Sequence, residues 1–443
     1  MRDRVTLGIL ILLMWTILVI VQKYLPMNMS TLVLLGGMGL YSLMLHAATS
    51  HRRRKAKKHP IVLNKEYKPF VSILIPCHNE ENVIRDTIHN MLAIDYPSYE
   101  VIIIDDRSTD KTAKVLETLS NELSGNLNYI IRDKSAFPGK SAVLNEAMEK
   151  ATGEIICVFD ADARVKPDFL EKIVPYLADK DTGAVQARKI ISNKESNILT
   201  RCQDNEYVLD CHFQSGRDSI KGAVELRGNG QLIKREALID IGGWNDYTIT
   251  DDLDLSTRLH LKNWDIRFCH EVKVYEEGIL TFLPLLRQRR RWVEGSIRRY
   301  LDYFVEVVLS KNVSHRVRAD MTAYLLEFVL PLWLLSELFI QGFKFVKGAE
   351  NHILWSIAVL PLLCMFFVTG LIYSIKKYNH LPLIQSIIQA VETGVYMVII
   401  WTPLVLLIVF KIIFVKRTMD WGKTAHGVAL QDNIKEQTTD ILN

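Results

Sequence analysis

The 443-residue sequence has no paired CxxC spacing among its six cysteines, no internal repeat, no low-complexity segment and no complete GxxxxGK[ST] phosphate loop. Each absence excludes something. Without paired cysteines, a disulfide framework and the common zinc modules fall away. Cys77, Cys157, Cys202, Cys211, Cys269 and Cys364 then read as buried, reduced thiols of a cytoplasmic domain. The tightest grouping, Cys202, Cys211 and His212, has a spacing that fits no common zinc site. Only the end of a phosphate loop survives, as Gly139-Lys140-Ser141, which argues against ATPase chemistry. Ahead of a helix it still brings backbone N–H groups and an ammonium near a phosphate.

Charge is missing from two long stretches, 5–22 and 25–45. Each is long enough to cross a hydrocarbon core of about 30 Å as a helix. No small-residue cleavage site ends the first, and the second comes at once, so a retained anchor is favoured over a signal peptide. The run HRRRKAKKH at 51–59 comes next. By the positive-inside rule it places the residues after it on the cytoplasmic face, as Arg2 and Arg4 do for the start, giving a hairpin. Beside an apolar helix, anionic lipid is a better partner for this run than nucleic acid.

From 71 to 279 the pattern becomes short β-branched runs alternating with amphipathic segments. Strands are expected at 71–75, 101–104, 155–159 and 183–186, and helices at 80–93, 109–123 and 139–150. Such alternation predicts a mostly parallel sheet with helices on both faces. A basic amphipathic stretch lies at 285–303. Further apolar runs lie at 321–343, 354–375 and 382–415, the last either one tilted helix or two short ones meeting near Pro403. Glu327 and Glu337 lie inside an apolar helix, where an ionised carboxylate is expensive; each suits a polar headgroup or a helix partner. The segments read as a membrane hairpin (1–50), a basic linker (51–69), a catalytic domain (70–280), amphipathic interfacial helices (281–318), C-terminal membrane helices (319–416) and a tail (417–443).

Ligands of such sheets sit beyond the carboxyl ends of the strands. There stand Pro76-Cys77-His78-Asn79-Glu80, Asp105-Asp106 and Asp160-Ala161-Asp162. A DxD turn offers two carboxylates to a hard divalent cation bridging a diphosphate, and its place after a strand makes that reading strong. Asp251 and Asp252 suit a general base, though Thr250 and Asp251 also suit a helix cap. Gln288, Arg291 and Trp292, spaced i, i+3, i+4, share a helix face fit for a diphosphate and a sugar ring. Arg287, Arg289, Arg290, Arg298 and Arg299 suit a helix resting on anionic lipid.

In this order the motifs resemble the family 2 inverting glycosyltransferases. The resemblance covers about residues 70–300 and rests on Asp105-Asp106, Asp160/Asp162, Thr250-Asp251-Asp252 and Gln288…Arg291-Trp292. It implies an α/β GT-A domain, Rossmann-like with a mostly parallel sheet, flanked by transmembrane helices. It further implies that Asp105 and Asp106 contact the uridine of a UDP-sugar. Asp160 and Asp162 would bind Mg2+ or Mn2+, Asp252 would act as base, and Gln288, Arg291 and Trp292 would hold donor and acceptor. Pro76, Asn79, Glu80 and Lys140 are expected on the donor side. Gly228, Asn229, Gly230 and Trp244 are expected on the acceptor side. Asp251 stands where many relatives have Glu, which touches only its supporting role. The runs ELRGNGQ (225–231), 242–266 and 289–303, with the WGKTAHG tail from Trp421, look like β-monoglucosyldiacylglycerol synthases of cyanobacterial type. That implies glucose transfer from UDP-glucose to diacylglycerol with Mg2+, in a bacterial cell membrane with a cytoplasmic catalytic domain. A processive polysaccharide synthase of poly-N-acetylglucosamine, hyaluronan or cellulose type is the alternative.

Overall fold

A computed structural model describes residues 2–24, 29–58, 63–123, 126–349 and 353–415. The expected 417–443 tail, with Trp421, lies outside the described residues. In chain order the elements are α1 (Arg2–Tyr24), α2 (Met29–Lys58), β1 (Val71–Cys77), α3 (Ile84–Leu92), β2 (Tyr99–Asp105), α4 (Thr112–Glu122) and β3 (Leu127–Ile131). Then come α5 (Lys140–Lys150), β4 (Ile155–Val158), β5 (Arg164–Val165), α6 (Phe169–Ile173), β6 (Thr182–Ile191) and α7 (Ile198–Ile220). The chain continues with β7 (Gln231–Lys234), α8 (Arg235–Asp240), α9 (Asp251–Leu261), β8 (Asp265–Glu276) and α10 (Phe282–Leu309), and ends in α11 (His315–Val346), α12 (Ile353–Tyr378) and α13 (Leu383–Phe414).

The eight strands form one sheet in the order β3-β2-β1-β4-β7-β6-β8-β5. Strands β3, β2, β1 and β4 run parallel. Around β7 the pairing turns antiparallel, so the sheet is mixed rather than uniformly parallel. Every residue of β1 is buried, as expected of a strand covered on both faces. Its alternation divides two cores. Ile73, Ile75, Val101 and Ile103 pack with α3, α4 and α6, while Leu74, Ile102, Ile104 and Ile156 pack with α5, α7 and α9. Leu371 and Ile375 of α12 join the second core, so a C-terminal helix docks directly on the catalytic domain.

Among the described residues, α1, α11 and α13 are long and apolar enough to cross a membrane. The apolar run at 382–415 is one helix, with Pro403 inside it, rather than two. The two N-terminal helices touch each other, but each packs more extensively elsewhere. Helix α1 packs chiefly on α13 and α10, whereas α2 packs on α7 and α11. Nor does a linker begin at residue 51. Arg, Lys and Ala are good helix formers, so α2 continues unbroken through the basic run to Lys58. Arg52 there pairs with Asp218 of α7. Glu337 accepts a hydrogen bond from Thr31 of α2, which makes it a helix partner. Five cysteines are buried as expected, but Cys364 is exposed on α12.

Candidate active site

The carboxyl ends of β1, β2 and β4 meet at one edge, and their loops are tied together by side chains. Asn79 adopts a left-handed conformation (φ 56°), which asparagine tolerates better than most residues. Its Oδ1 accepts from the backbone N–H groups of Thr109 (2.6 Å) and Asp110 (3.3 Å), fastening the first loop to the second. Asp105 receives the Ser108 hydroxyl and backbone N–H. Asp106 is fully buried. It pairs with Arg132 at 2.7 Å and Arg107 at 2.9 Å, and accepts from the backbone N–H of Gly139 at 3.4 Å. Asp106 therefore holds the turn that opens α5 and lies behind the cleft rather than in its wall.

That turn delivers Lys140. Its Nζ lies 2.6 Å from Asp160 Oδ1 and 3.5 Å from the Gly228 carbonyl oxygen. Burial works against the charged ammonium, but the carboxylates of Asp160, Asp251 and Asp252 outweigh it and raise the pKa above the ordinary lysine value. Gly228 has φ +75°, and a Cβ there would stand 3.4 Å from Asp252 Oδ2 and 3.5 Å from Lys140 Nζ. Asp160, Lys140, Gly228 and Asp252 are thus contiguous. Asp252 sits in the first turn of α9 and accepts from the Leu253 N–H at 2.8 Å. Burial, reinforced by Asp251 and opposed by Arg227 and Lys140, raises its pKa to about 6.

The DxD turn is braced from two sides. The Asp160 backbone N–H donates to Asn229 Oδ1 at 3.2 Å, and Asn229 donates in turn to Glu276 at 3.0 Å. The Glu277 N–H donates to Asp162 Oδ2 at 2.9 Å. Asn229 is completely buried and acts as this brace, not as a surface for an acceptor. Gly230 (φ +69°) lies against Val274, and Trp244 is buried in the core beneath α5. Neither lines the cleft, although Gly228 does.

The cleft itself has a volume of about 520 Å³ and brings together Pro76, Glu80, Lys140, Asp160, Asp162, Asp251, Asp252, Gln288, Arg291 and Trp292. Asp105 and Asn79 shape the loops behind it. Helix α10 supplies its outer wall. The arginines expected on lipid divide: Arg287 and Arg290 are exposed, but Arg289, Arg298 and Arg299 are buried. Arg289 pairs with Glu206 at 2.7 Å and lies 4.1 Å from the centre of the Trp292 ring, fixing the indole. Arg298 pairs with Glu294 (2.9 Å) and Asp3 (3.0 Å), and Arg299 with Glu225 (2.5 Å). Buried guanidiniums need such partners, so these three anchor α10 instead of resting on lipid. Glu276, Glu277 and Lys189 also line the cleft and were not singled out from the sequence; Arg227, which belongs to the run 225–231, lines it too. The acidic pair at the end of β8 was the available signal.

Residues 69–295 match the family model described as "Glycosyltransferase like family 2", just over half of the chain. The chain belongs to this family. Two β-monoglucosyldiacylglycerol synthases are among the relatives of this family 2 glycosyltransferase. The one from Nostoc sp. is 38% identical over 362 residues, 81% of this chain and 76% of that protein. The one from Synechocystis sp. is 32% identical over 444 residues, 97% of this chain and 89% of that protein. A poly-β-1,6-N-acetyl-D-glucosamine synthase from Staphylococcus epidermidis is 32% identical over 248 residues, 55% of this chain and 58% of that protein. In fold the glycosyltransferase resembles a Pyrobaculum calidifontis mannosyltransferase solved with GDP-Man and Mn2+. The TM-score is 0.55 at 21% identity, covering 82% of this chain and 99% of that one. The fold is GT-A.

The residues present fit a divalent ion of a particular kind. Among the described residues, no group of three or more His, Cys, Asp or Glu side chains is arranged to hold a metal alone. Asp160 faces the cleft with its side chain 38% exposed, and Asp162 stands two residues on. Two carboxylates of one turn suit an ion that keeps its waters and shares substrate phosphate oxygens, the habit of Mg2+.

Proposed function

We propose that this membrane-associated glycosyltransferase transfers glucose from UDP-glucose to the free hydroxyl of 1,2-diacylglycerol, with inversion, giving β-monoglucosyldiacylglycerol. One observation carries the choice of acceptor. The Synechocystis synthase matches through 97% of the chain, membrane helices included, whereas the polysaccharide synthase matches through 55%. The lipid synthase match thus accounts for the membrane helices as well as the catalytic domain, and the polysaccharide synthase match leaves nearly half of the chain unaccounted for.

In this reading Asp252 takes the proton of the attacking hydroxyl. Its raised pKa places the base close to the working pH, where proton transfer is most efficient. Asp251 supports it by keeping that proton affinity high. Asp160 and Asp162 hold Mg2+ or Mn2+, which when bound neutralises charge on the leaving diphosphate. Lys140 adds a second positive charge at the same phosphates. Gln288 and Arg291 receive the diphosphate, and Trp292, held by Arg289, offers a flat face to the sugar. Asp105 and Asp106 shape the nucleoside end through the loops they fasten. The basic end of α2 supports a cytoplasmic catalytic domain.

The test is a donor panel. Detergent-purified protein is incubated with labelled UDP-glucose, UDP-galactose or UDP-N-acetylglucosamine, with and without diacylglycerol, and the products are separated by chromatography. Label in a lipid-soluble monoglycoside, dependent on both UDP-glucose and diacylglycerol, is expected. A long water-soluble chain formed without lipid would support a polysaccharide synthase.

A further inference from the structure

The carboxylate of Glu276, the last residue of β8, joins two sides of the cleft. Its Oε2 accepts from Asn229 Nδ2 at 3.0 Å and pairs with Lys189 Nζ at 2.9 Å, and its Oε1 accepts from the Tyr207 hydroxyl at 2.5 Å. On the donor side, Asn229 holds the Asp160 backbone, and the N–H of the next residue, Glu277, holds the Asp162 carboxylate. Toward the outer wall, the Lys189 ammonium lies 4.7 Å from the centre of the Tyr207 ring and 5.7 Å from that of Trp292. The Lys189 and Glu276 side chains are only 12% and 11% exposed, so solvent ions screen their pairing little.

Arg289 also touches the Trp292 ring, but it sits three residues earlier on the same helix. It sets the orientation of the indole on α10 and not its place against the sheet. Lys189 stands on β6, beside β8, and an ammonium within about 6 Å of a ring centre is attracted to the ring face. One side chain is therefore bound both to the carboxylate that braces the DxD turn and to the ring that offers a face to the sugar. We infer that Lys189 and Glu276 form a positioning pair that fixes the spacing between the DxD turn and Trp292. The diphosphate is held at one end and the glucose at the other, so this spacing sets how well the anomeric carbon is aligned for attack. Neither side chain needs to touch the substrate, because Glu276 acts through Asn229 and Lys189 through Trp292. The inference rests on the roles given above to the DxD turn and Trp292.

The test measures kcat and KM for UDP-glucose with diacylglycerol in mixed micelles, and UDP affinity by calorimetry with Mn2+ and in excess chelator. Lys189→Met keeps the aliphatic stem but loses the charge, so kcat should fall about tenfold. UDP has no sugar for Trp292 to hold, and its affinity for Lys189→Met should be unchanged. Lys189→Arg keeps the charge and should recover most of the lost rate. Glu276→Gln loosens the DxD turn as well, so UDP affinity should fall about tenfold with Mn2+ and stay unaltered in chelator. Because the two act as a pair, the double variant should be no slower than Glu276→Gln alone. Should Lys189→Met fail to fold, Tyr207→Phe, which removes one hydroxyl from the same carboxylate, carries the test with an expected fall in kcat of about threefold. Wild-type kcat in Lys189→Met, additive losses in the double variant, or a Lys189→Arg no faster than Lys189→Met would overturn the pairing. So would unchanged UDP affinity in Glu276→Gln with Mn2+. Loss of UDP affinity in Lys189→Met would make Lys189 a diphosphate ligand and also overturn it. A wild type that makes no glycolipid would remove the lipid reading instead, and the Glu276→Gln calorimetry, which needs no acceptor, would still decide the inference.

Discussion

A Cβ on Gly295 would lie 2.3 Å from Cγ2 of Thr250, so α10 is pressed against the residue immediately before Asp251 and Asp252. The helix carrying Gln288, Arg291 and Trp292 and the start of the helix carrying the proposed base therefore share one contact. Gly295→Ala should force them apart. A loss of about 1–3 kcal/mol in stability is expected, read by chemical denaturation. A tenfold or greater fall in kcat should accompany it, as expected when reacting groups shift by a fraction of an ångström. Thr250→Ala in the same background should restore part of both.

The pKa of Asp252 sets a pH dependence. As a base it acts only when ionised, so kcat/KM should climb through about pH 6 and fall roughly tenfold per unit below it. The stability effect has the opposite sign. A carboxyl whose pKa is raised in the folded state stabilises fully below its unfolded value, near 4, and that contribution is lost as pH rises through about 6. Asp252→Asn should therefore abolish turnover, preserve UDP binding and raise the melting temperature at pH 7–8. The gain should vanish near pH 4. Retained turnover in purified Asp252→Asn would contradict the assignment of the base.

Metal dependence should be visible in binding alone. Asp162→Ala should weaken UDP affinity in the presence of Mg2+ or Mn2+ and leave it unaltered in excess chelator. Calorimetry of both proteins under both conditions separates the two. Equal affinities with metal present would argue against coordination by the DxD turn.

Asp106 should behave as a framework residue. Removing its carboxylate takes one of two ion-pair partners from Arg132, whose side chain is 4% exposed, leaving Glu146 at 2.7 Å. A cost of about 1–3 kcal/mol is expected for Asp106→Ala, measured as a shift in the denaturation midpoint. A variant of normal stability that loses only UDP affinity would instead indicate direct contact with the nucleoside.

The sequence was most informative where burial is two-sided. Strands β1, β2 and β4 carry apolar runs, so they stand out, whereas β7 (QLIK) has a polar residue at each end and β8 alternates in burial. Carboxylates just after strands were legible for the same reason, since strand ends locate loop tips. The inward turn of particular side chains was not legible. Asp106 and Asn229 have the same chemistry as cleft residues, and only their partners on distant segments make them braces. The basic face of α10 misleads similarly, because the carboxylates of Glu206 and Glu225 come from a different part of the chain. The membrane end of the cleft draws on four helices spread from Met38 to Trp401, a convergence that no local pattern encodes.

The anomeric configuration of the product is the most direct measure of the proposed chemistry. Proton NMR of the glycolipid made by purified protein from UDP-glucose and diacylglycerol should show the large diaxial coupling of a β-glucoside, absent with Asp252→Asn. A small-coupling α-glucoside, or no glycolipid at all from fully folded, UDP-binding enzyme, would contradict in-line attack on a lipid hydroxyl activated by Asp252.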